Sequence, residues 1–140
     1  MDGRKVLVAC DKFKGSLTAA EVADRISAGL GAVVPTAAVV RVPVADGGDG
    51  TLDAAVAAGF TRVPVTASGP TGEPVATSYA VRGDLAVVEM ADACGLLRLP
   101  GQVRAPMTAS SRGLGEVLAA ALDADCRRIV MGIGGSASTD

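Results

Sequence analysis

Residues 5–30 read KVLVACDKFKGSLTAAEVADRISAGL, and their pattern decides the fold class. Val6 to Ala9 is a short β-rich apolar run, followed by the loop Cys10-Asp11-Lys12-Phe13-Lys14-Gly15-Ser16. Val22, Ile26 and Leu30 then recur every fourth residue, on one face of a helix. Thr18 with Glu21 three residues later forms a capping box, and Gly31 is placed to end the helix. The same order repeats at once. Ala38 to Val44 is a β-branched run, Ala45-Asp46-Gly47-Gly48-Asp49-Gly50 is a loop, and Thr51 to Ala58 is helical, with Leu52 and Val56 four apart and Gly59 as the stop. Two consecutive strand-loop-helix units predict a parallel sheet with crossover helices, an α/β fold.

From Phe60 to Met107 the rhythm changes. Arg62 to Thr66, Val75 to Val81 and Leu85 to Met90 are short strand-like runs, punctuated by Ser68-Gly69-Pro70-Thr71-Gly72 and Arg82-Gly83-Asp84. Such spacing predicts an antiparallel meander, a small β-rich subdomain or insertion. Leu114, Val117, Leu118, Ala121 and Leu122 then mark a helix, and Ile129 to Ile133 a buried strand. The expected division is residues 1–59 for the first part of the α/β domain, 60–106 for the β-rich subdomain and 107–140 for a return to the α/β core.

Composition narrows the function. One ordinary domain's length, 140 residues, with 49% apolar and 20% charged residues, belongs to a soluble globular chain. A formal charge of −2 and three aromatic residues offer neither the basic footprint nor the stacking platform of nucleic-acid binding. Histidine is absent, which removes Ser-His-Asp and Cys-His activation and the common catalytic zinc sites. Cys10, Cys94 and Cys126 are odd in number and far apart, so they make no disulfide framework or CxxC motif, and a reducing cytoplasm fits best. The N-terminal apolar run is too short for an export signal or a membrane span.

Chemistry therefore rests on Asp, Glu, Lys, Arg, Ser, Thr and backbone amides, and three loops at predicted strand ends gather them. In Asp46-Gly47-Gly48-Asp49-Gly50-Thr51 the glycines allow a tight turn and close ligand approach, and the following helix start favours a phosphate. Its two carboxylates would repel a bare phosphate unless Mg²⁺ lies between them. The plainer alternative is a structural turn with Asp49 or Thr51 as helix cap. Asp11, Lys14 and Ser16 lie in an equivalent loop, Asp11 as a proton acceptor and Lys14 as a cation for carboxylate or phosphate, against solvated lysines and a serine cap. The order is not that of a Walker A loop, because the lysine precedes Gly-Ser. Gly134, Gly135 and Ser136 lie in a third loop, Gly132 to Ser138, that offers amides and hydroxyls, against a polar tail. The three loops are expected to converge on one crevice. Glu89 is a fourth candidate, because a carboxylate in an apolar strand is paired, used or facing solvent, and Arg112 is a possible anion clamp.

These segments together resemble the bacterial glycerate kinases. The resemblance rests on residues 9–17, on Pro43 to Thr51, on Val88-Glu89-Met90-Ala91 with Gly95-Leu96, on Thr108 to Glu116 and on Gly132 to Ala137. It implies a Rossmann-like domain with a smaller α/β domain inserted into it. It also implies phosphoryl transfer from ATP, with Mg²⁺, to D-glycerate, and no nucleic-acid or membrane partner. Such kinases are longer than 140 residues, so the chain is expected to be an N-terminal portion that stops at Asp140 in mid-motif. Thr139 stands where many relatives carry Asn, and Cys10 where Pro is frequent. The roles implied are Asp46 as base or metal contact, Asp49 on Mg²⁺, Asp11 and Lys14 as catalytic groups, and Ser16, Gly47, Gly48, Arg112, Gly134, Gly135 and Ser136 on substrate or phosphate. The alternatives are a catalytically incomplete ligand-binding fragment, or a non-kinase α/β enzyme such as a reductase or mutase acting on a small carboxylate or phosphate.

Overall fold

The computed structural model describes residues 4–140, so the first three residues of the expected 1–59 segment lie outside it. The chain divides into two compact units, Met1–Ala45 and Asp46–Asp140.

In the first unit, β1 (Lys5–Cys10) and β2 (Ala38–Pro43) pair in parallel, with Leu7 opposite Val40, and α1 (Ala19–Val33) is the crossover. The expected capping box is present: the Thr18 hydroxyl accepts the Glu21 amide while the Glu21 carboxylate accepts the Thr18 amide. Val22 and Ala23 are the buried residues of α1, whereas Ile26 is 42% exposed, so the covered face is rotated slightly from the predicted stripe. Gly31 does not end the helix, which runs on to Val33. The stop comes from Pro35, whose ring disfavours helical backbone at Val34.

The second unit begins with α2 (Thr51–Ala57), closed as expected at Gly59 with φ +90°. The predicted meander follows as β3 (Thr61–Ser68), β4 (Pro74–Arg82) and β5 (Leu85–Glu89), antiparallel throughout. Gly83, with φ +62°, opens the two-residue turn between Arg82 and Leu85, where a twisted hairpin needs a residue free to take positive φ. Then come α3 (Met90–Cys94), two single 3-10 turns at Leu96–Arg98 and Pro100–Gln102, α4 (Arg112–Asp123) and β6 (Arg128–Gly132). The sheet order is β3-β4-β5-β6, and β6 runs parallel to β5. Residues 107–140 and 60–106 thus share one sheet, and α2 packs on it.

Both faces of this sheet are covered. Tyr79, Ala86 and Val88 pack with Leu114, Val117 and Ala121 of α4, while Ala80 and Val87 pack with Leu52 of α2. That explains why β5 is an unbroken apolar run and not an alternating one. Among the described residues no helix is long and apolar enough to cross a membrane.

The start of α4 lies so close to β3 that a Cβ on Gly113 would overlap the Ser68 carbonyl oxygen. Glu116, one turn on, accepts the Ser68 amide at 2.6 Å and its hydroxyl at 3.0 Å. Gly115 on the same helix faces open space. In urea unfolding, Gly113→Ala should therefore cost about 1–3 kcal/mol or more by overpacking. Gly115→Ala should be neutral or stabilise by up to about 1 kcal/mol.

Candidate functional site

The loop between Asp46 and Thr51 is shaped by its own hydrogen bonds. Asp46 Oδ1 accepts the Gly48 amide at 2.9 Å, and the Gly48 carbonyl accepts the Thr51 hydroxyl at 2.7 Å. Gly47 and Gly50 have φ of +90° and +91°, conformations that side chains disfavour. Opposite lies the loop that follows β6. The Gly134 amide donates to the Gly47 carbonyl at 2.8 Å. A Cβ on Gly132 would stand 2.7 Å from Gly47 O, and one on Gly134 would stand 2.9 Å from both Gly48 N and Gly48 Cα. Glycine is required here because two backbones touch.

That contact occupies two of the amides that the loops offer. The Gly48 amide is engaged by Asp46 and the Gly134 amide by Gly47, so neither points at a phosphate in this arrangement. Nor is the start of α2 an open anion site. Glu89, the last residue of β5 and only 6% exposed, accepts the Gly50 amide on Oε1 at 3.1 Å and the Leu52 amide on Oε2 at 2.8 Å. Burial pushes its carboxyl up from the ordinary value, the Leu52 and Gly50 amides pull it back, and Asp92 and Asp49 push it up again. The solvent-facing alternative for Glu89 is thereby corrected: β5 is covered on both faces, and its end turns inward.

Glu89 lines a cavity of about 250 Å³ together with Asp49, Asp53, Arg62, Asp92 and Arg98. Asp92 Oδ2 accepts the Thr77 hydroxyl at 2.8 Å and the Ser78 amide at 3.1 Å, and its Oδ1 pairs with Arg98 at 2.6 Å. Arg62 pairs with Asp53 and reaches the Ser78 hydroxyl at 2.9 Å. Asp92, Arg98 and Arg62 were missed by sequence reasoning. Their partners come from elements separated along the chain, β4 and α2 among them, and from a helix and a 3-10 turn too short to carry a periodic signal.

The third loop is stitched to α3. The Leu96 amide donates to Gly135 O and the Ala137 amide to Cys94 O, both at 3.0 Å, while the Ser136 hydroxyl accepts the Ser138 amide at 3.1 Å. A Cβ on Gly135 would lie 3.5 Å from Asp49 Oδ2, so this loop runs beside the Asp49 carboxylate. The structure thus brings Asp46, Gly47, Gly48, Asp49 and Glu89 together with Gly134 and Gly135 in one unit.

Asp11, Lys14 and Ser16 belong to the first unit. There Asp11 Oδ1 accepts the Lys12 amide at 2.7 Å and pairs with Lys12 Nζ at 3.6 Å. Ser16 donates to the Phe13 carbonyl at 3.1 Å and is not the helix cap, a place Thr18 fills. Lys12, Ser16 and Glu21 line an open cavity of about 270 Å³. The Nε of Arg112, on a largely exposed side chain, pairs with Glu116 at 2.8 Å, one helical turn on. The Ser111 amide at the start of α4 donates to both Asp140 carboxylate oxygens at 3.0 Å. Bonds from Ser138, Ser111 and Ser110 bring the Asp140 carboxyl down to about 2.

If backbone contact is what the glycines serve, Gly134→Ala should cost about 1–3 kcal/mol in urea unfolding, since the Gly48 main chain cannot yield as a side chain would. Ser136→Ala, which removes only a hydroxyl, should cost about 1 kcal/mol.

Comparison with known proteins bears on the whole of this arrangement. The sequence profile of the glycerate kinase family matches residues 6–140. The glycerate kinase of Bacillus subtilis (strain 168) is 45% identical over 139 residues, 97% of this chain and 36% of that protein. The glycerate 2-kinase of Escherichia coli (strain K12) is 44% identical over 140 residues, again 97% of this chain and 36% of its own length. A crystal structure assigned as glycerate kinase 2 from Salmonella typhimurium LT2 matches with a TM-score of 0.83 and 42% identity, covering 99% of this chain and 38% of that one. This chain therefore spans little more than a third of these relatives, 36% of the first two. With its strand-end glycine loops inside the matched region, the chain belongs to the glycerate kinase family.

Proposed function

We propose that the protein carrying this chain transfers the γ-phosphoryl group of Mg–ATP to a hydroxyl of D-glycerate. The observation that supports this reading is the family match over residues 6–140, which includes every loop that bears candidate chemistry. In the transfer, the glycerate hydroxyl oxygen bonds to the γ-phosphorus, the bond from that phosphorus to the β–γ bridging oxygen breaks, and ADP leaves. The hydroxyl proton passes to a carboxylate. Catalysis of this kind is mainly positioning and charge neutralisation.

Asp46 is proposed as the proton acceptor or metal contact. Its Oδ1 is oriented by the Gly48 amide, which keeps the carboxylate at the end of the loop. Asp49, beside Gly135, is proposed to meet the Mg²⁺ that enters with the nucleotide and neutralises phosphate charge. The donor set suits such a substrate-borne ion: among the described residues no group of three or more acidic or thiol side chains could hold a metal alone, and Mg²⁺ commonly takes one or two carboxylates with phosphate oxygens and water.

Lys14 is proposed to neutralise the glycerate carboxylate or the transferring phosphate, with Asp11 as a further proton acceptor and Ser16 as a supporting donor. Gly47, Gly135 and Ser136 are proposed on the phosphate side, Gly48 and Gly134 as the contact that shapes them. The domain division at residues 59/60 and 106/107 is proposed for the whole protein on the change of rhythm along the sequence, although within this chain β6 joins the sheet of β5. Free Cys10, Cys94 and Cys126 support a reducing, cytoplasmic setting.

The test is ADP formation from Mg–ATP with and without D-glycerate, by this chain and by the protein extended to its relatives' length. Glycerate-dependent ADP is expected. Ligand stabilisation without ADP would favour a binding fragment, and turnover without ATP a different enzyme. Asp46→Asn preserves an oxygen for the Gly48 amide and should lower kcat by about 10²- to 10⁴-fold. Lys14→Met should raise the KM for D-glycerate about tenfold or more, through loss of a charge-assisted contact.

A further inference from the structure

The first turn of α2 lacks a cap of its own, because Gly50 occupies the N-cap position with no side chain to offer. Its amides are served instead from β5, 39 and 37 residues away, by the two oxygens of Glu89. A local serine or threonine would satisfy such amides without desolvating an acidic group. Glu89 is buried, and acidic and basic groups face its cavity from every side: Asp49 from the loop, Asp53 from α2, Asp92 from α3, Arg62 from β3 and Arg98 from the 3-10 turn. The remote cap achieves a tie between the end of a central strand and the carboxylate loop. From Glu89 the bonds continue without a break. Gly50 and Leu52 flank Thr51, the Thr51 hydroxyl holds the Gly48 carbonyl, and the Gly48 amide holds Asp46 Oδ1.

We propose that Glu89 is the positioning residue of this site, holding the Asp46–Gly50 loop so that Asp46 and Asp49 face the reacting groups; this rests on the phosphoryl-transfer reading above. In this proposal Glu89 is a positioning residue and not a group on the substrate. It acts through two main-chain amides, and a misplacement of about 1 Å at reacting groups can cost on the order of 10²-fold in rate.

The experiment pairs hydrogen exchange with steady-state kinetics on the protein with Glu89→Gln and Glu89→Asp. Glutamine offers one acceptor where glutamate offers two, so exchange at the Gly50 and Leu52 amides should accelerate at least about tenfold, with β4 and β5 still protected. The kcat per folded molecule should fall about 10- to 100-fold while the KM values for Mg–ATP and D-glycerate change less than about threefold, the signature of a loss felt only in the transition state. Glu89→Asp keeps the acid but is one methylene shorter, and should be intermediate in both readouts. Thr51→Val cuts the next bond of the same chain and serves if Glu89→Gln does not fold.

Unchanged exchange at Gly50 and Leu52 would overturn the proposal. So would faster exchange with kcat per folded molecule intact, which would leave Glu89 a structural cap only. Absence of glycerate-dependent ADP formation in the unsubstituted protein would instead overturn the phosphoryl-transfer reading, and with it the role given to the loop.

Discussion

Two main chains meet where Gly47 and Gly48 lie against Gly132 and Gly134, at distances that leave no room for a Cβ on either Gly132 or Gly134. Much of the second unit depends on that approach. Gly132 is the last residue of β6, which pairs in parallel with β5, so the contact sets where the Asp46–Gly50 loop stands against two strand ends. Once the loop is there, α2 starts above the sheet, Leu52 closes over Ala80 and Val87, and Glu89 lies within reach of the helix's first amides. The packing of α2 on the sheet and the place of the Asp46–Gly50 loop therefore go with one backbone contact.

The electrostatic arrangement follows from the same packing. The start of α2 holds the Glu89 side chain, and the start of α4 holds the Asp140 carboxylate. Both helix starts thus carry acidic groups of the chain itself, which the helix dipole favours there. Any anion recognition in this unit is then a matter of loop conformation and of cations, not of these two helix ends. Around the cavity, Asp92 is held by a threonine, a serine and Arg98, and Arg62 by Asp53 and Ser78, so the charged groups support one another in fixed orientations.

Local patterns were legible in the sequence wherever a few neighbouring residues settle the matter. The Thr18–Glu21 capping box, the Gly59 stop and the Gly83 turn each formed as read, and so did the β1-α1-β2 crossover. The exceptions share a cause. Gly31 looked like a helix end because glycine often is one, yet Pro35 sets the boundary by steric exclusion at the residue before it. The α3 helix spans only Met90–Cys94, too short for a 3.6-residue period to show. A carboxylate in an apolar strand is costly on its own, but the partners of Glu89 lie 37 and 39 residues upstream, beyond any local spacing rule.

The sequence by itself determined the α/β class, the crossover and meander order, and the placing of glycine-rich loops at strand ends. These follow from periodicity, turn residues and capping, which act over a few residues. Only the tertiary structure decided what the glycines are for. A missing Cβ permits a tight turn, a bound phosphate or another main chain equally well, and the letters are the same in each case. Folding brought Gly134 onto Gly47 and Glu89 beneath the Gly50 and Leu52 amides, and so assigned backbone contact to the first and loop support to the second. Long-range packing made that choice, because the competing partners are separated along the chain and meet only in the fold.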